Sequence, residues 1–402
     1  MVMLNITNKI DRDYIQIKEW ILIVGTCLAP MTGLRIWKVG PGEVLCIVYC
    51  ILNMDIIKNI DKENIFFRFW MPFLGVSVLG TIWGTIWYSN ETIIVGLFTW
   101  VYLGIISTGI SCSLKRFSAN YIQSIIIHIV DVSTILYSLL FIYSRYVSDT
   151  FLGAPLWYGK VRYTAGATNP HQIALMLSFS VIVLIWRIIN ECQIWYKIKC
   201  LIILIIAYSL MSYTQSSTAQ MATVVAVTIL VLCTIWNSMY DKRIMFILYY
   251  FLFGIFVLFF SGSFYKFVFS WIEEDSNGYG RIQLFRSFPI AFLKSPVIGL
   301  GPGTHASDGR MEFHNSYLEF LAMSGMVGFC IFLIFTIRLY RIVLQNTLSL
   351  SAISAGYMFG MSGFGARRLI YWVIVVLCVE MVKYGDVRGV VDEAKGFSKY
   401  IK

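Results

Sequence analysis

The chain has 402 residues, of which 58% are hydrophobic and only 13% charged, with a mean hydropathy of +0.72. A soluble domain carries about 25% charged residues, so this composition excludes a water-soluble enzyme and describes a chain folded in a bilayer. The net charge of +10 includes no basic tract interleaved with stacking aromatics, which argues against a nucleic-acid partner.

A span needs about 20 mostly apolar residues. In chain order, apolar runs are centred near residues 27, 49, 78, 102, 132, 180, 206, 227, 254, 327, 356 and 376. Runs of this length exclude a β-barrel, so the expected fold is an all-α polytopic membrane protein with about 12 transmembrane helices. Residues 1–402 read as a single integral membrane domain. The first run begins near Trp20 and lacks the small-residue site of a cleaved signal peptide. The run from Leu348 to Gly365 is the weakest, and its Ser, Ala and Gly residues suit tight helix packing. The nine cysteines lie in or beside apolar segments and read as small buried hydrophobes, without zinc-site spacing.

With both termini cytoplasmic, most of the 32 Lys and Arg residues fall on the inner side, including Lys115, Arg116, Arg187, Lys197 and Lys199. The positive-inside rule supports that orientation. Two long loops then face outwards, at about 145–169 and 265–313. The second carries Lys266, Arg281, Arg286, Lys294 and Arg310, basic residues on the disfavoured side, for which an anionic ligand is one explanation. The other is a solvated loop balanced by Glu273, Glu274 and Asp275.

Chemistry concentrates around Phe313-His314-Asn315-Ser316, with Glu319 following. Ser316 and Glu319 form a capping-box pattern, which predicts a helix starting at Ser316. His314 then stands just outside a helix N-terminus, where the dipole favours a neutral imidazole able to accept a proton. The same position attracts phosphate oxygens. Upstream, the apolar spacing from Ile282 to Phe292 predicts an amphipathic helix on the outer membrane face, carrying Arg281 and Arg286. Paired guanidinium forks match phosphate, although pinning the helix to lipid headgroups would account for them too. The glycines of Pro296–Gly303 would allow either close approach to a ligand or a plain turn.

Asn169 before Pro170 reads as a cap and a first helical residue, and Arg162 lies close enough in sequence to reach an anion there. His171 reads as structural. Inside the fifth span, His128 and Asp131 share a helix face. They form either a proton relay of a transporter or a buried structural pair.

Together these segments resemble the bacterial O-antigen ligase and O-antigen or capsule polymerase family. Residues Pro296 to Gly328 are similar to its P-x-x-G-x-G, HN-x-x-L and G-x-x-G signature, with His314, Asn315, Leu318, Gly325 and Gly328 at the matching positions. Arg281 occupies the arginine position before that block, and Arg162 to Pro170 is similar to the R…G…NP motif. One departure stands out: Thr214-Gln215-Ser216-Ser217 has a serine where many members have arginine. Arg162 or Arg286 is the candidate replacement.

The resemblance implies a C-type glycosyltransferase-like protein of the bacterial inner membrane, working on the periplasmic side. Its donor would be an undecaprenyl-pyrophosphate-linked glycan. The acceptor would be a sugar hydroxyl on a lipid-linked repeat unit (polymerase) or on lipid A–core (ligase). The polymerase reading is preferred because the chain is compact and because of Ser217. His314 is the expected base, with Arg281, Arg286, Arg162, Asn315 and Asn169 binding pyrophosphate or glycan. A metal-independent, inverting transfer without cofactor is expected, with membrane lipids, a flippase and a chain-length regulator as further partners. A proton-coupled transporter using His128 and Asp131 is the alternative from another class.

Overall fold

The computed structural model describes residues 15–36, 39–58, 62–87, 91–238, 276–303, 313–363 and 365–383. The run expected near residue 254, and loop residues 265–275 and 304–312, lie outside them.

Among the described residues, seven helices are long and apolar enough to cross a membrane: Ile65–Ile86, Ile94–Leu114, Ala119–Tyr146, Pro170–Asn190, Ile194–Tyr213, Ser217–Trp236 and Ser316–Val343. They coincide with the runs centred near 78, 102, 132, 180, 206, 227 and 327. The first two apolar runs form shorter helices than expected, α1 (Ile17–Leu28) and α2 (Pro41–Leu52). Twelve residues each make rods about 18 Å long, well short of the roughly 30 Å hydrocarbon core. Pro30, Gly33 and Pro41 interrupt the backbone between them, and the two helices pack on each other.

Beyond a short helix, α3 (Met54–Ile57), come α4 (Ile65–Trp87), α5 (Glu91–Leu114) and α6 (Ala119–Tyr146). Next are α7 (Pro170–Asn190), α8 (Ile194–Tyr213) and α9 (Ser217–Ser238). After the undescribed stretch lie α10 (Ser276–Lys294), α11 (Ser316–Val343), α12 (Thr347–Ser362) and α13 over residues 369–383. The weak run at Leu348–Gly365 is α12, a helix of 16 residues packed chiefly on α9, with small buried Ser351, Ala352, Ser354, Ala355 and Gly356. Close approach through small side chains is what its composition suited.

An aromatic core joins α4, α5, α11 and α13. Phe69 and Phe335 stack at 4.4 Å, Phe320 and Phe332 at 4.2 Å, and Trp70 meets Trp372 at 4.6 Å. Six of the cysteines are buried, but Cys192 and Cys330 are exposed, against the sequence reading.

The first outer loop departs from an all-α chain. It folds into two antiparallel pairs of two-residue strands, β1 (Thr150–Phe151) with β2 (Ala154–Pro155) and β3 (Trp157–Tyr158) with β4 (Arg162–Tyr163). Arg145 lies over the Trp157 ring at 4.3 Å and the Phe141 ring at 5.2 Å, fixing the loop on α6. Tyr163 is buried and donates to Tyr137 O at 2.6 Å; burial pushes its phenol up from the ordinary tyrosine range.

α11 is broken at Gly325, where φ is 60° and ψ is −166°. Such a break frees backbone groups that lipid cannot satisfy. Residues 296–301 supply the partners. Leu300 N and Gly301 N donate to Ala322 O (3.0 Å) and Met323 O (2.9 Å), while Pro296 O and Val297 O accept from Met326 N (2.8 Å) and Val327 N (3.1 Å). A Cβ on Gly299, itself at φ +73°, would overlap the Met323 and Ser324 backbone. Besides the ligand approach and the plain turn considered from sequence, these glycines allow backbone to pack on backbone.

Candidate functional site

Three helix N-termini and one C-terminus converge at one end of the bundle. His171, in the first turn of α7, has Nδ1 2.6 Å from Ser216 Oγ, beside the start of α9. From α9, Thr218 Oγ1 lies 2.7 Å from Ser362 Oγ at the end of α12. The end of α12 in turn holds the start of α11: Asn315 Nδ2 donates to Met361 O (2.8 Å) and Ser316 Oγ donates to Gly363 O (3.0 Å). Helix N-termini present free amide N–H groups and the positive end of the dipole, so their convergence favours an anion.

His314 stands at the mouth of α11. The helix starts at Ser316 as the sequence predicts, but the cap is Asn315, whose Oδ1 accepts from Tyr317 N (3.0 Å) and Leu318 N (3.1 Å). Glu319 does not complete a capping box either: its Oε1 accepts from Phe313 N at 2.6 Å. Phe313 is fully buried, 5.6 Å edge-to-face from Phe288 of α10. Anchors on both sides therefore fix the half-buried His314 and hold its backbone at φ +53°, an uncommon conformation for a non-glycine residue.

Arg162 reaches the same end. Its Nε donates to Thr214 O (3.0 Å) and its Nη2 to Gln215 O (3.2 Å), in the turn just before Ser217. Asn169 caps α7 by accepting from His171 N at 2.9 Å. Arg286 is exposed on α10; Arg281 lies in α10 too, but its side chain is outside the described residues. α10 itself rests on α11 through Phe288 and Ala291, with Ile290 and Leu293 exposed.

Two further basic residues, Arg367 and Arg368, arrive at this end without having been singled out by any motif. They lie in and after the 3₁₀ turn Gly365–Arg367 that follows α12. With the Gln172 amide turned so that its nitrogen faces Pro30 O, Arg368 Nη1 lies 3.3 Å from its oxygen in the first turn of α7. Only contact across the fold identifies them.

By contrast, His128 and Asp131 are held separately. His128 Nδ1 is 2.8 Å from Ser124 O and its ring meets Trp20, whereas Asp131 pairs with Arg187 (3.4 Å) and Lys199 (3.5 Å). These contacts favour the structural reading of that pair over a relay.

The fold is that of a multi-pass membrane protein with polar residues gathered where helix N-termini meet. Residues 200–333, a third of the chain, match the family model described as O-antigen ligase. The match includes Ser217, Arg281, Arg286, His314 and Gly325, and leaves Arg162, Asn169, Arg367 and Arg368 outside. No curated protein matches the chain.

Proposed function

We propose that this protein is a polysaccharide polymerase of the bacterial inner membrane, joining undecaprenyl-pyrophosphate-linked repeat units on the periplasmic side, with both termini cytoplasmic. The observation that carries the reading is the convergence of His314, Arg162 and three helix N-termini at one end of the bundle. His314 accepts the proton of the acceptor hydroxyl as its oxygen bonds to the anomeric carbon. The bond from that carbon to the pyrophosphate oxygen breaks, and undecaprenyl pyrophosphate leaves with the electron pair. Direct displacement inverts the anomeric centre and uses no metal or cofactor. Guanidinium groups and helix amides stabilise the charge that develops on the leaving group.

Arg162 is the best-supported substitute for the arginine absent at Ser217, because its fork binds the carbonyls of the turn leading into that position. Asn315 and Asn169 act by fixing the helix mouths, since both use their side-chain oxygens as caps. Arg281 and Arg286 belong to α10. A flippase and a chain-length regulator would supply donor and set product length.

The second reading is a ligase, favoured by the description of the matching family. Gels of surface polysaccharide and lipid-linked glycan from a strain lacking the gene separate the two. Lipopolysaccharide with a single repeat and no long ladder supports a polymerase. Long lipid-linked chains with none on lipid A–core support a ligase, and an unchanged profile in a glycan-producing strain sinks both.

A further inference from the structure

We infer that Glu319 is the positioning residue of the proposed base: its carboxylate brackets the chain around His314 and sets where the ring stands. The inference rests on the function proposed above. Glu319 lies in the first turn of α11, where the positive end of the helix dipole favours a carboxylate. Its Oε1 accepts from Phe313 N at 2.6 Å, six residues back and on the far side of His314 in the chain. That short, charge-assisted bond meets two needs at once. A buried carboxylate must be hydrogen-bonded, and Glu319 is only 1% exposed. The amide of the fully buried Phe313 precedes the helix and has no place in its ladder.

The bracket holds His314 between two anchored neighbours. On one side, Asn315 caps Tyr317 N and Leu318 N and is itself held on α12 through Met361 O. On the other, the Phe313 ring is packed with Ala291 of α10 and Ala322 of α11 and meets Phe288 edge-to-face. Between them His314 takes φ +53°, which a non-glycine residue keeps only where its surroundings impose it. Cutting the Glu319 bond frees the Phe313 amide and lets His314 return to negative φ, which turns its ring. Glu319 is buried whereas His314 is half-buried, so the carboxylate acts through the histidine rather than on the acceptor. The role calls for an acceptor oxygen at the end of a long side chain. Glutamine keeps both, and aspartate keeps the charge but is one methylene short.

The experiment uses the full chain in nanodiscs, with Glu319→Gln, Glu319→Asp and Glu319→Ala beside the natural chain. It follows the kinetics of transfer from lipid-linked donor. Separately, it follows the rate at which diethyl pyrocarbonate acylates His314, read by mass spectrometry. Glu319→Gln should keep kcat within about threefold of the natural chain. Glu319→Asp and Glu319→Ala should lower kcat about tenfold to a hundredfold with KM for the donor unchanged. Both should change the acylation rate of His314, which Glu319→Gln should leave alone. A loss in Glu319→Gln equal to that in Glu319→Ala overturns the inference, because charge and not the bracket would then matter. Natural kcat and acylation rate in Glu319→Asp overturn it as well. So does loss of folded protein in both Glu319→Asp and Glu319→Ala, which would make Glu319 a support of the whole fold. If the natural chain transfers no glycan while Glu319→Asp still alters the reactivity of His314, the proposed function fails and the bracket stands.

Discussion

The two ends of the helix bundle differ in the contacts of their charged residues, although the His314 end also has an ion pair, Arg35 with Glu43. Away from His314, charges meet counter-charges: buried Glu19 pairs with Arg116 at 2.9 Å, Asp131 with Arg187 and Lys199, and buried Glu380 with Lys383 at 3.6 Å. At the His314 end, Arg162 donates to the neutral carbonyls of Thr214 and Gln215. An ion pair neutralises a charge and lowers its desolvation cost. A carbonyl positions a guanidinium without itself supplying a counter-charge.

The sharpest way to break this comparison is to destroy the frame on which it depends. Gly325→Val puts a β-branched residue at φ +60°, against the Val297 backbone. It should cost several kcal/mol, read as loss of folded protein from the membrane fraction. Next, His314→Ala should reduce glycan transfer by about 10²- to 10⁴-fold with an unchanged melt in detergent; a near-normal polysaccharide ladder would remove the histidine from the chemistry. Arg162→Ala should reduce donor use about tenfold or more, measured as KM for lipid-linked glycan. Arg162→Lys should fall between, because an ammonium keeps the charge but cannot fork across two carbonyls. The smallest effect is expected from Asp131→Asn, away from the His314 end: about 1 kcal/mol or less of stability, with transfer intact. Abolition of function by this change, with the fold preserved, would revive the proton-relay reading.

Much of the scaffold was legible because long apolar runs have few other structures open to them in lipid. Seven of the apolar runs are membrane-length helices at the expected places. The start of α11 was legible too, but not its cap. Asn315 and Ser316 are both good capping residues, and local pattern favoured Ser316 because Glu319 follows three residues later. Tertiary contacts decided otherwise, since Gly363 O takes the Ser316 hydroxyl and Phe313 N takes the Glu319 carboxylate. The half-length of α1 and α2 was lost in a hydropathy signal that hardly registers a pair of prolines. Two-residue strands are too short for any alternation to show. Arg367 and Arg368 belong to no motif, and only the turn after α12 reveals where they lie.

The hydrogen bonds between residues 296–301 and the broken helix close a loop at its neck. Residues 296–301 and 322–327 are thereby joined on either side of His314 in the sequence. The histidine is tied to the frame by Phe313, Asn315 and Glu319. Its backbone placement is therefore a property of its immediate neighbours and of α10 and α12, and two independent clamps, the neck and the cap, hold the two halves of the broken helix.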